Sequence, residues 1–363
     1  MLHGHGGDVH GLARELGRSP GEILDFSGNI SPLGPPEGLR EALFACYPEV
    51  RFLPEVDSRS LREALAARYG GDPEGYLVGA GTTEWIHLLP AALRADPVVV
   101  PLPTYADYAD AARQAGRPLR MIGPWPGPGE EEALAAALSA AAEEGDRPLC
   151  FVCNPNNPTG RFLDPDALRA LAEGHPRAAW VVDESYAPFV GPDAATSLLA
   201  RELPGNLLVL RSFSKIYGVP GLRIGFAAGA PALLAPLRAA ARPWSVDRLA
   251  QVAGVFLLGA TGYEERVRGY WPPERDRLLA AIAEAAPFLR PRPGAAHFTL
   301  CEVRPPWTAR ELTGALRRRG ILVRDCGNFE GLRGEWVRIS LRTPRENAAL
   351  VRCLREIAGE RSG

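Results

Sequence analysis

From about residue 76 to residue 228, short apolar runs alternate with helix-length segments, and this order narrows the possible folds more than any other feature. The runs are Tyr76-Leu77-Val78, Pro97-Val98-Val99-Val100, Leu149 to Cys153, Ala179 to Val182, Leu207 to Leu210 and Ile224 to Ala228. Strands covered on both faces read as such unbroken apolar runs. Strand–helix alternation predicts an α/β chain with a mostly parallel central sheet and helices on both faces. Helices are expected over Ser60 to Tyr69, with Ser60 and Glu63 as a capping box, over Glu131 to Glu144 and over Asp166 to Glu173. Others are expected over Pro231 to Arg242, 262–286 and 308–319. The end of the chain changes character: His297 to Val303 and Glu335 to Leu341 alternate like half-buried strands, as a smaller α+β domain would. Residues 41–240 are expected to form the large domain, with 1–40 and 241–363 in the small one. Residues 1–40 are rich in glycine and proline and poor in periodic signal.

In a parallel sheet the loops at the strands' carboxyl ends converge on one side, where such proteins place chemistry. Here those loops are polar. Gly79-Ala80-Gly81-Thr82-Thr83-Glu84 is a glycine turn before a helix start, a weak but usable phosphate seat. Tyr105 follows a strand and reads either as packing or as a platform for a flat ring. Asn154 to Gly160 is a dense turn cluster. Asp183 ends a buried strand, as a helix cap or as a functional carboxylate. Arg338 and Arg342 fall four apart, on one face of a strand.

Lys215 is the only lysine; every other one of the 41 basic Lys and Arg side chains is arginine. Arginine can take over lysine's charge and pairing but cannot lose its proton, so a lone lysine points to a need for an amine. That need is imine formation with a carbonyl compound, most often pyridoxal phosphate. Ser212 and Ser214 flank Lys215, and Arg223 lies eight residues on, a set that suits a phosphate. Lys215 is expected in a loop after a strand.

The rest of the composition is exclusionary. A net charge of −2 gives no reason to expect nucleic acid or an anionic membrane. No apolar run approaches a membrane span, and no secretion signal opens the chain, so a cytoplasmic protein is expected. Cys150 and Cys153 lie in one apolar run and on opposite faces of a strand, so buried reduced thiols are expected rather than a redox or zinc pair. Glycines surround two of the three histidines His3, His5 and His10, no cysteine or acidic cluster completes a site, and no metal is expected.

Taken together, Ser-x-Ser-Lys with an arginine eight residues on, Asn156-Asn157-Pro158-Thr159-Gly160, and Asp183-x-x-Tyr186 resemble fold-type I pyridoxal-phosphate enzymes of the class I/II aminotransferase group, over about residues 5 to 350. The resemblance implies roles. Lys215 would be the Schiff-base lysine and proton shuttle. Gly81, Thr82, Ser212, Ser214 and Arg223 would hold the cofactor phosphate, and Tyr105 would stack on the ring. Asn157 and Tyr186 would bond the phenolic oxygen, and Asp183 would pair with the ring nitrogen. Arg338 would grip the substrate carboxylate, with Arg324, His5, Asn29 and Asn157 also facing substrate. A homodimer with shared active sites is implied too. The family usually has a tyrosine that crosses to the neighbouring subunit where this chain has Ser58.

Two branches of the family, both acting on small phosphorylated substrates, are similar to this chain. The segments Asp25 to Pro35, Val323 to Phe329 and Arg338 to Asn347 look more like threonine-phosphate decarboxylases of cobalamin synthesis than like histidinol-phosphate aminotransferases. The expected reaction is therefore decarboxylation of L-threonine O-3-phosphate to aminopropanol phosphate. Amino transfer with 2-oxoglutarate or glutamate is the alternative, and a non-catalytic binding protein of the same fold a third reading.

Overall fold

The computed structural model describes residues 6–124 and 130–360. A seven-stranded sheet is built from β1 (Tyr76–Gly79), β2 (Val98–Pro101), β3 (Leu119–Ile122), β4 (Leu149–Cys153), β5 (Ala179–Asp183), β6 (Leu207–Ser212) and β7 (Gly225–Gly229). Their order across the sheet is β1-β7-β6-β5-β4-β2-β3. Only β7 is antiparallel to its neighbours; the other pairings are parallel. The expected mostly parallel sheet is thus present.

Alternation along each strand divides the core in two. Val99, Cys150, Val152, Trp180, Val182 and Val209 face one side, where the helices Glu131–Ala141 and Pro165–Gly174 pack. Val98, Val100, Phe151, Val181, Leu208 and Leu210 face the other, under the helices Thr82–Ala92, Asp107–Gln114 and Pro231–Ala240. Cys150 and Cys153 fall in opposite clusters, both buried and unbridged, as the period-two reading predicts.

The smaller, β-rich part is an antiparallel sheet of β8 (Leu289–Pro293), β9 (Phe298–Val303), β10 (Arg324–Asp325) and β11 (Trp336–Ser340), in the order β10-β11-β9-β8. The amino-terminal segment ties the two parts together. Leu24–Asp25 pairs with Ile321–Leu322, the Ser340 N–H bonds the Phe26 carbonyl, and the Ser31 N–H bonds the Lys215 carbonyl at 2.8 Å.

Several expectations need correction. Residues 1–40 hold a helix, Val9–Leu16, which Asp8 caps and Gly17 ends in the left-handed region. The helix expected from Ser60 starts at Arg59 with Ser58 at its cap position, because Glu55 takes the Ser60 N–H at 2.7 Å and Glu63 pairs instead with Arg59. Lys215 lies not in a loop but in a one-turn helix, Phe213–Ile216, whose Ser214 N–H the Ser212 hydroxyl caps. Arg342 lies beyond the end of β11 and so does not share a strand face with Arg338. The helices Asp107–Gln114 and Arg248–Leu258 were not foreseen.

Candidate active site

Six of the seven strands run the same way, so the carboxyl ends of β1, β2, β4, β5 and β6 and the amino end of β7 meet at one edge. A cavity of about 200 Å³ opens there, closed from above by β10, β11 and the amino-terminal segment. Thr82, Tyr105, Asn157, Asp183, Tyr186, Ser212, Ser214, Lys215, Arg223, Arg324, Arg338 and Asn29 all line it. The structure thus brings together twelve of the fourteen residues singled out from the sequence. Gly81 stands just behind them against Arg223, and His5 lies outside the described residues, as does His3. Sequence reasoning assigned no site role to Ser27, Gly28, Tyr108, Cys153, Ser185 and Phe329, which also line the wall with Gly6, Thr83 and Ala106. No motif marks Tyr108, the second residue of the unforeseen helix Asp107–Gln114.

The end of the cavity near β1 and β7 is built to receive an anion. Thr82 and Thr83 open the helix Thr82–Ala92, whose first amides lack helical partners. Gly81 has φ +83°, and a Cβ there would come within 2.5 Å of Arg223 Nη2. A Cβ on Gly225 would meet the Thr82 amide nitrogen at 2.6 Å. Both glycines therefore let two backbones and one guanidinium close around the same space. The Ser214 hydroxyl is buried without a hydrogen-bond partner in the described structure, a cost that an incoming acceptor would offset.

Asp183 is buried at the end of β5. Its carboxylate accepts from Tyr108 Oη at 2.9 Å and from the Ser185 N–H at 2.9 Å. Burial raises its pKa above the usual carboxylate value, with those bonds and the Lys215 charge working against the shift. Tyr108 is itself fixed by stacking on Phe151, with ring centres 4.9 Å apart. The Lys215 amine faces this pocket and is lowered to about 8 by removal from water, then by the positive fields of Arg338 and Arg223. An amine in that range is unprotonated in about a tenth of molecules at pH 7, far more than an ordinary lysine.

Arg338 crosses from β11 and lies 5.4 Å over the Phe298 ring. It donates to Asn157 Oδ1, and its Nη2 donates to the Ser27 carbonyl at 2.7 Å. Its Nε is buried without a partner among the described residues. With its carbonyl oxygen engaged, Asn157 has its NH₂ to offer. Arg324 sits nearby over Phe329, 5.1 Å from the ring centre, and donates to Asn328 Oδ1 at 2.7 Å. Asn29 reaches the cavity with both ends committed: it donates to Tyr186 Oη at 3.1 Å and accepts from the Ser340 hydroxyl at 2.7 Å. Ser58 is buried and accepts from Gln251 Nε2 at 3.0 Å, so its hydroxyl is used within the same subunit.

The donor set fits pyridoxal phosphate: an anion seat, a buried carboxylate for a ring nitrogen, aromatic side chains for a flat ring and a deprotonatable amine lie around one cavity. Among the described residues no group of three or more His, Cys, Asp or Glu could hold a metal, and no helix is long and apolar enough to cross a membrane.

Comparison with known proteins agrees with this geometry. The chain is 36% identical over 358 residues to histidinol-phosphate aminotransferase of Symbiobacterium thermophilum, covering 98% of this chain and 95% of that protein. It is 30% identical over 360 residues to threonine-phosphate decarboxylase of Salmonella typhimurium, covering 97% and 96%. The solved histidinol-phosphate aminotransferase of Sinorhizobium meliloti, in complex with pyridoxal-5'-phosphate, shares the fold, with a TM-score of 0.82, 23% identity and coverage of 97% and 94%. Residues 22–354 match the family described as aminotransferase class I and II. With a family match over most of its length, this chain belongs to the class I and II aminotransferases.

Proposed function

We propose that this protein is a pyridoxal 5'-phosphate enzyme acting on a small phosphorylated amino compound, and that its reaction is amino transfer of the histidinol-phosphate type with an oxo acid as acceptor. The observation that carries it is the pairing, in one cavity, of the Lys215 amine with the buried Asp183 carboxylate below two arginines, Arg324 and Arg338. The 36% identity to an aminotransferase over nearly the whole chain favours amino transfer. Decarboxylation of threonine phosphate is the second reading, favoured by the 30% identical decarboxylase and by the segments Asp25 to Pro35 and Val323 to Phe329.

When bound, the cofactor supplies an aldehyde carbon for an amine and a ring that takes up the electrons of the bond broken at the substrate Cα. Thr82, Ser212, Ser214 and Arg223, with Gly81 giving room, would hold its phosphate. Tyr105 would cover one ring face, Asp183 would hold the positive ring nitrogen, and the Asn157 NH₂ and Tyr186 hydroxyl would meet the phenolic oxygen. Lys215 Nζ would be the amine that meets the aldehyde when no substrate is bound, and with substrate bound it would be the base that takes the Cα proton and the acid that returns one. Arg338, whose Nε has no partner among the described residues, and Arg324 would hold the anionic groups: the phosphate alone for histidinol phosphate, which has no carboxylate, and the two carboxylates of the oxo-acid acceptor. In the second reading the same two arginines turn the carboxylate out of the ring plane, and Lys215 Nζ only delivers a proton to Cα.

The site is proposed to work in a homodimer. Phe44 (81% exposed), Tyr47, Phe52, Leu53 (74% exposed), Val56 and Trp244 form an apolar patch around the Leu39–Cys46 helix and the segment after it, and a second copy would cover it. One experiment separates the readings. The holoenzyme is given histidinol phosphate with 2-oxoglutarate, and separately O-phospho-L-threonine without acceptor. Multiple-turnover glutamate formation in the first supports amino transfer; sustained CO₂ release in the second supports decarboxylation. Absence of both, with cofactor bound, sinks both.

A further inference from the structure

Arg324, one of the two arginines assigned to the ligand's anions, owes its orientation to the segment that follows it. Its guanidinium lies over the Phe329 ring, 5.1 Å from the centre, and Nη2 donates to Asn328 Oδ1 at 2.7 Å. Phe329 is buried against Leu300 and Cys326 and lines the cavity together with Arg324. Residues 328 and 329 thus aim the guanidinium, while residues 330 and 331 fasten the same turn to the seven-stranded part of the molecule. Arg113 Nη2, on the helix Asp107–Gln114, donates to Glu330 Oε1 at 2.7 Å. Both side chains of that pair are nearly half exposed, so it is a weak tether. Gly331 supplies the stronger one. A Cβ on it would stand 2.7 Å from the Leu102 Cβ, closer than side chains approach. Leu102 follows β2 and shares its loop with Tyr105, which also lines the cavity. The turn by itself does not account for this closeness. Gly334 also has a left-handed backbone, φ +94° against +81° for Gly331, yet a Cβ there would meet only the Trp336 Nε1, at 3.5 Å. An alanine at 331 must push the turn off Leu102 by roughly 1 Å to reach ordinary contact, and a displacement of that size can cost a positioned group up to about a hundredfold.

We propose that Gly331 and Glu330 are positioning residues for Arg324: by seating residues 326–332 on Leu102 and Arg113 they hold Arg324 and Phe329 at the cavity, and so set the affinity for a phosphorylated ligand without touching it. Neither residue is among those lining the cavity. The proposal rests on the reading of Arg324 as a holder of ligand anions.

The test uses holoenzyme. The dissociation constant of inorganic phosphate is measured by calorimetry, and kinetics are followed on whichever of histidinol phosphate and O-phospho-L-threonine is turned over. Gly331→Ala is expected to keep the visible band of bound cofactor and a kcat within about threefold of wild type, while KM and the phosphate Kd rise about tenfold. Gly334→Ala carries the same backbone penalty without the contact, so both constants should stay within about twofold of wild type. Glu330→Ala should raise both about threefold, the size of an exposed ion pair. In an Arg324→Gln background the effect of Gly331→Ala must shrink below about twofold, because members of one chain of contacts do not add. A Gly331→Ala enzyme with wild-type KM and Kd overturns the proposal. So does an equal rise in Gly334→Ala, or an undiminished rise in the Arg324→Gln background. Should Gly331→Ala not fold, Glu330→Ala is compared in the wild-type and Arg324→Gln backgrounds, and a rise that persists in the second overturns the proposal. If wild type holds cofactor but turns over neither compound, the functional reading fails, while the phosphate constants still decide whether residues 330 and 331 act through Arg324.

Discussion

The ends of β5 and β6 carry two polar networks on opposite faces, built from residues adjacent in sequence. Asp183 and Ser212 point into the cavity, while Glu184 and Arg211 point away. Behind the sheet, Arg211 donates to Glu184 at 2.9 Å, Ser197 at 2.6 Å and Asp193 at 3.0 Å. Glu184 also accepts from the Ser197 hydroxyl and from the Leu198 N–H at 2.7 Å. Apart from Arg211 Nε, the buried polar atoms of that network all have partners among the described residues, with Arg68 reaching Asp193 at 3.7 Å from the surface. In front, among the described residues, Asp183 has donors in Tyr108 and Ser185 but no paired guanidinium, the Ser214 hydroxyl has no partner, and the Lys215 amine has lost much of its hold on a proton. Both sets bear the cost of leaving water. The rear set recovers it within the fold; the front set recovers it only from a ligand. Open and closed satisfaction, rather than polarity or burial, distinguish a site from a structural clamp.

The comparison breaks most visibly if the front set turns out to be structural. Lys215→Ala should lower turnover at least about a thousandfold, or ~4 kcal/mol of barrier, and abolish the visible band, while leaving the melting temperature at or above wild type. A large fall in melting temperature would place Lys215 with the rear set. Glu184→Gln is the mirror case. It leaves Asp193 as the one carboxylate paired with Arg211 and weakens the charged bonds made by Glu184, so it should cost roughly 2–3 kcal/mol in urea unfolding, with the visible spectrum of the folded fraction unchanged. Normal stability with lost cofactor binding is the opposite pattern and would erase the distinction. Asp183→Asn lies between them. The Tyr108 and Ser185 bonds can persist with an amide, so stability should change by less than about 1 kcal/mol, yet kcat should drop on the order of a hundredfold as the charge facing the ring is lost.

Which parts of this arrangement were legible follows from the same alternation. Unbroken apolar runs such as Val98-Val99-Val100 gave the strands, and the turn residues after them gave the cavity edge. The lone lysine with Ser212, Ser214 and Arg223 gave the centre. The rear clamp was not legible, because Glu184 and Arg211 look like surface charges until tertiary structure supplies Asp193 and Ser197, and a charge can be interior only with partners from elsewhere in the chain. Tyr108 was missed for the same reason: its function lies in a contact with a residue 75 positions away. The helix Asp107–Gln114 that carries it mixes polar and small residues, and its pattern is weak without the apolar wall it packs on. The balance between decarboxylation and amino transfer is illegible for a different reason: in the proposed roles the same side chains serve both, and the two readings differ only in which Cα bond stands out of the ring plane.

The smallest effect sharpens the comparison through protons. Arg211 cannot titrate in the working range, whereas Lys215 does so near pH 8. In cofactor-free protein, the rate of reaction of Lys215 with a small aldehyde should therefore rise with pH and level off above about 8. Replacing Arg338 with Gln removes the second-largest cause of the depression, so the midpoint should move up toward the ordinary lysine value. A midpoint that stays put would show that removal from water alone sets the amine's acidity. Stability must follow the same proton. Between about 8 and the ordinary lysine value of 10.5 the unfolded chain keeps a proton that the folded one has released, so folding is favoured as pH rises through this window. Relative to Lys215→Met, which has no such proton, cofactor-free wild type should gain about 1 kcal/mol over the first pH unit above the folded-state midpoint. The Glu184→Gln protein retains Lys215 and should show the same gain on a lower baseline. Equal slopes with unequal baselines are what two separately satisfied networks on the two faces of β5 and β6 require.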